Sequence, residues 1–125
     1  MTTREERHAR EAKIAAAASE WAEKLAAAKP RFEGSEKQIA WASDIYDRVA
    51  PLVAQGIAED SVRDEKNRIV QYLDGLCTQI SARTSAHWWI SYREAFRGDG
   101  AELACRFTER VSGAWERALA ATARA

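Results

Sequence analysis

Nowhere in this chain do apolar and polar residues alternate at the two-residue period of a half-buried strand. Apolar residues recur instead at intervals of three and four. Helices packed on helices are the architecture that such a pattern allows. Two prolines and six glycines in 125 residues leave few points of interruption. A chain of this length makes one domain with a core of its own. The expectation is an all-α fold: a single small bundle of about five helices, with an N-terminal helix that docks loosely or protrudes.

The densest local signals lie in GSEKQIAWASDIYDRVAP, Gly34 to Pro51. Ser35 and Gln38 stand at the spacing of a capping box, in which each side chain satisfies an orphan backbone donor of the other residue. Gly34 permits a sharp turn before the helix. Ile39, Ala42, Ile45, Tyr46 and Val49 then draw one apolar stripe, with Trp41 off its centre. Pro51 predicts a kink or an end, and Gln55-Gly56 a stop.

The charged residues up to about Arg10 are expected to fray. From there to Ala28 the chain reads as an Ala-rich helix with a narrow seam of Ile14, Trp21 and Leu25. Lys29-Pro30 ends it. This divides the chain into an arm, residues 1–30, and a bundle core, residues 31–125, expected to fold from Phe32 onward. Asp60 or Ser61 is read as the cap of a third helix reaching about Ala82. Its stripe is Val62, Ile69, Val70, Leu73, Leu76, Cys77 and Ile80, and Gly75 lies inside it. Thr84 or Ser85 caps a short fourth helix, SAHWWISYREAF. Asp99 caps a last helix with the stripe Leu103, Ala104, Phe107, Val111, Ala114, Trp115 and Ala118.

The chemistry is read mostly from what is missing. Two histidines, His8 and His87, stand far apart in sequence, and no HExxH, EF-hand, GxSxG or Gly-rich phosphate loop occurs. Cys77 and Cys105 fit neither a zinc ribbon nor a redox CxxC pair. The expectation is therefore no enzyme, no metal and no cofactor. No apolar run has the length of a membrane span, and no signal-peptide pattern opens the sequence. A reducing cytoplasm is the expected location. Lysine plus arginine balances aspartate plus glutamate at 19 each. No overall field therefore draws the chain to nucleic acid or membrane. Arginine outnumbers lysine 14 to 5, which fits either a coding bias or recognition of carboxylate and phosphate. The candidate binding residues are Trp41, His87, Trp88, Arg93 and Arg97, aromatic and cationic groups that meet if the second and fourth helices pack together.

Two stretches, GSEKQIAWASDI and HWWISYR, together resemble a family of small proteins and modules carried by phages, plasmids and other bacterial mobile elements. That family has a GSEKQxxWAxxIR-like stretch and a downstream WWIxxR. Tyr46 stands here where its pattern has Arg. The resemblance implies a bacterial host cell as the setting. Through the company such proteins keep, it also implies an inhibitor of host defence, of which anti-CRISPR proteins are one kind.

Three readings follow. The first is a non-catalytic protein-binding module that occludes a host protein or protein–nucleic acid complex. The second is a nucleic-acid-binding accessory protein that stacks bases on Trp and Arg. The third is a structural protein that self-associates as a homodimer through its first helix. Charge separates the first two. Residues 83–125 carry seven arginines against five acidic groups, a surplus of only two, and a nucleic-acid binder normally shows a strongly basic face.

Overall fold

The computed structural model describes residues 3–63 and 75–112. The expected stripe positions Ile69, Val70, Leu73, Ala114, Trp115 and Ala118, and the side chain of Val62, lie outside the described residues. Among the described residues there are five α-helices: α1 (Arg4–Ala28), α2 (Glu36–Arg63), α3 (Leu76–Ala82), α4 (Ala86–Ser91) and α5 (Gly100–Ser112). A 3₁₀ turn, Arg93–Phe96, links the last two. Among the described residues there is no strand. The all-α bundle expected from the periodicity is the fold observed.

α2 is the axis on which α1, α4 and α5 pack, and α3 closes the bundle between α1 and α5. Its start follows the sequence signal. Ser35 Oγ accepts from the Gln38 amide at 3.2 Å, and Gln38 Oε1 accepts from the Ser35 amide at 3.0 Å. Gly34 has φ +150°, and a Cβ there would stand 2.7 Å from Gln38 Oε1. The cap and the glycine are one device.

The expected stop at Gln55-Gly56 does not occur. α2 runs through Pro51 and Gly56 to Arg63, so Asp60 and Ser61 lie inside it rather than capping a new helix. Pro51 deprives the helix of one hydrogen bond, a loss of about 3 kcal/mol. Its ring is exposed, while Val49, Ala50, Val53 and Ala54 on the opposite face are buried. Each large apolar group buried there contributes about 1.5–3 kcal/mol, so packing outweighs the break. Gly56 is a contact and not a terminator: a Cβ would meet the Gly100 carbonyl oxygen at 2.2 Å and the Ala104 Cβ at 2.8 Å. Gly56→Ala must push α2 and α5 apart. It is expected to lower stability by about 1–3 kcal/mol, as overpacking does. An unchanged urea midpoint would show that the helices do not meet there.

Gly75 also departs from expectation. It is not inside a helix but at the N-cap of α3, with φ +74°, a left-handed conformation that glycine adopts without strain.

α1 begins at Arg4, ahead of the start expected at about Arg10. Thr3 and Glu6 form a second capping box, at 3.1 and 3.2 Å. The helix docks in cis, antiparallel to α2. Residues 4–13 are exposed, Ile14 and Trp21 are half-buried, and Leu25 and Ala28 lie in the common core. Its C-terminal carbonyls, which have no partner within the helix, find donors elsewhere. Tyr46 Oη donates to Leu25 O, and Ser81 Oγ donates to Ala28 O at 2.9 Å. Lys29 Nζ adds an ion pair to Asp47 at 2.9 Å.

Tyr46 is thus a core residue that ties α1 to α2. Burial above all, with Cys77 and Asp47 nearby, pushes its hydroxyl well above the ordinary range. In the unfolded chain the phenol ionises near pH ~10, while in the fold it stays neutral, so its stabilisation is full below that pH and declines above it. Tyr46→Phe is expected to lose about 1 kcal/mol at neutral pH. The gap to wild type should narrow as pH climbs past that point. Parallel pH–stability curves for the two proteins would contradict this.

The connectors are joined as well. The Glu33 amide donates to Thr84 O at 2.7 Å and the Ala86 amide donates to Glu33 O at 3.0 Å, an isolated parallel bridge between Glu33 and Ser85. The stretches that start α2 and α4 are therefore clasped side by side.

Candidate functional site

Trp41, Asp44 and Arg48 stand at i, i+3 and i+7 of α2 and so share one face. The 3₁₀ turn brings Arg93 and Glu94 opposite them, and Arg97 follows directly. Together with Ile45 these side chains line an open groove of about 450 Å³. Ile45 forms the floor and is only 4 % exposed, whereas Trp41 is 48 % exposed. Trp41 and Leu52 are the exposed large apolar residues among the described positions.

Arg93 is held in place. Its guanidinium lies 5.0 Å from the centre of the Trp41 ring, and Nη1 donates to Ile90 O at 2.7 Å. That carbonyl belongs to the last turn of α4, so the arginine caps the helix and stacks on the indole together. Arg97 grips Glu94 with both arms of its fork, Nε at 2.8 Å and Nη2 at 3.1 Å. Asp44 and Arg48 are exposed and make no hydrogen bond or ion pair with any described residue.

The other two sequence candidates lie elsewhere. Trp88 is half-buried, with ring centres 5.0 Å from Trp89 and 4.9 Å from Tyr92. The Arg83 guanidinium stands 4.8 Å over it. His87 is exposed, and its Nε2 lies 3.3 Å from Ser91 Oγ on the same helix. Neither lines the groove. The structure therefore brings Trp41, Arg93 and Arg97 together and leaves Trp88 and His87 outside. Asp44 and Arg48 were missed as site residues, although their helical spacing from Trp41 carried the signal.

Three of the fourteen arginines have a backbone use among the described residues. Arg83 donates to Val111 O at 3.2 Å, and Arg106 to Ala95 O at 3.1 Å and Arg97 O at 2.5 Å. With Arg93 these satisfy carbonyls at element ends.

Among the described residues no group of three or more His, Cys, Asp or Glu side chains is placed to hold a metal ion. Cys77 and Cys105 are both thiols, partly buried. No described helix is long and apolar enough to cross a membrane. The chain matches no protein-family model, no curated protein and no solved structure.

Proposed function

We propose that this chain is a non-catalytic protein-binding module of a mobile genetic element, which acts by occluding a host protein complex, a defence complex being the case the motif resemblance suggests. The observation that carries the binding reading is Trp41. It is a half-exposed indole on a rigid helix, beside an arginine already ordered against it. Tryptophan and arginine dominate binding hot spots, and order before binding reduces the entropy lost on docking. The lining mixes three arginines with two carboxylates, a pattern suited to a protein surface better than to a phosphate track.

The test is capture of partners from a bacterial host lysate by wild type and by Trp41→Ala. The variant is expected to weaken the captured interaction about tenfold or more, as hot-spot truncation does, with an unchanged circular dichroism spectrum. Equal capture by the two proteins would remove the groove from the binding surface. Steeply salt-dependent binding of single-stranded DNA, lost in Trp41→Ala, would favour a nucleic-acid partner instead.

A further inference from the structure

We infer that the groove recognises a carboxylate: it docks an acidic segment of a partner protein, one Asp or Glu side chain held by Arg48 and Arg93, with the neighbouring apolar side chain laid on Trp41. This rests on the reading of the groove as a protein-binding surface. It follows from asking which charges in the groove are already used.

Arg97 and Glu94 neutralise each other in a two-pronged pair. Three charged groups remain. Arg48 is exposed and makes no hydrogen bond or ion pair with any described residue. Arg93 spends a donor on Ile90 O, and the rest of its fork is left for a ligand. A guanidinium carries five N–H donors in fixed geometry. Asp44 is the opposing group. Two cations against one carboxylate leave a surplus of one positive charge facing the groove. A single carboxylate on the ligand balances it.

Geometry narrows the choice further. The Trp41 ring and the Ile90 carbonyl hold the Arg93 guanidinium from two directions, so its free edge is presented without an ordering penalty. Planar carboxylates match such a fork with two parallel hydrogen bonds. The exposed indole and Ile45 supply an apolar floor beside the cations, which a lone anion does not need and a peptide side chain does. A polyphosphate strand would run past Asp44, the carboxylate left without a cation partner among the described residues, and meet repulsion from it. The groove, at about 450 Å³, is of the size that holds a few side chains.

The experiment uses the full chain and two capped tripeptides, acetyl-Leu-Glu-Leu-amide and acetyl-Leu-Gln-Leu-amide, followed by the NMR signals of the Trp41 indole N–H and the Arg48 Nε–H. The Glu peptide is expected to shift both signals and to bind about tenfold tighter than the Gln peptide, the difference expected of a charge-assisted pair. Arg48→Gln, at an exposed position outside the core, should abolish that preference while leaving the spectrum folded. Equal affinity for the two peptides overturns the assignment, as does a preference that survives Arg48→Gln or the absence of shifts with either peptide. Displacement of the Glu peptide by a single-stranded oligothymidylate at lower concentration than its own would give the groove to nucleic acid and also overturn it. The lysate experiment keeps the two levels apart. If capture still depends on Trp41 while the peptides do not differ, carboxylate recognition fails and the protein-binding reading stands.

Discussion

Trp89→Ala is expected to lower stability by about 3–5 kcal/mol, the loss typical of a large aromatic removed from a core. The indole is fully buried and is the hub of the aromatic cluster. Its ring centre lies 5.4 Å from Tyr46, 6.1 Å from Phe32, and 5.9 Å from both Phe96 and Phe107. Those partners come from α2, the first connector, the 3₁₀ turn and α5, so one deletion loosens four elements. The polar end is also committed: Nε1 donates to Arg83 O at 2.8 Å, closing the C-terminal end of α3. Against a total of about 5–15 kcal/mol for a domain, such a loss unfolds much of the population. Urea melts of wild type, Trp89→Ala and Trp89→Phe would check it, with Phe intermediate because it restores ring area without the hydrogen bond. A loss under ~1 kcal/mol for Ala, the range of surface substitutions, would mean that the cluster does not hold the bundle together.

The second large effect concerns α1. Leu25→Ala is expected to cost about 2–5 kcal/mol, because Leu25 is fully buried and its carbonyl accepts from Tyr46. Removal of residues 1–13 should cost less than ~1 kcal/mol, since every described residue of that stretch is exposed. The contrast is the test. If the truncation is the more damaging change, the arm is held by its first turns and not by its last. The chain's helix-breaking chemistry falls at Pro30, yet the packing of Leu25 and Ala28 runs across it into the core.

What the sequence disclosed divides along a physical line. Local chemistry was legible. The capping box at Ser35, the cap at Ser85, which accepts from the Trp88 amide at 3.3 Å, and the stripe Leu103, Ala104, Phe107 and Val111 needed only neighbours within a turn or two. Gly56 was not legible in that way. A glycine that ends a helix and one that admits another backbone look alike in one dimension, and Gly100, which decides the matter, lies on a different helix. An end at Pro51 fails for the same reason, since the packing that carries the helix past it comes from elsewhere. The site was half legible. Aromatic and arginine types marked Trp41, Arg93 and Arg97, but which of two adjacent tryptophans turns inward depends on α5 and Arg83. Arg48 was hidden by its ordinariness, one charge among many on a solvated face.

The bridge between Glu33 and Ser85 has a further consequence, for the order in which the molecule assembles. Its partners stand 52 residues apart, and closing a loop of that length costs about 3–4 kcal/mol in chain entropy. A bridge of a few hydrogen bonds, each worth about 1 kcal/mol net, does not repay that alone. Both connectors must be brought together by helices that have already met, α2 with α4 first among them. The joint is therefore sealed late, with little of it formed in the transition state. It records that the starts of α2 and α4 have docked in register and does not drive them to do so.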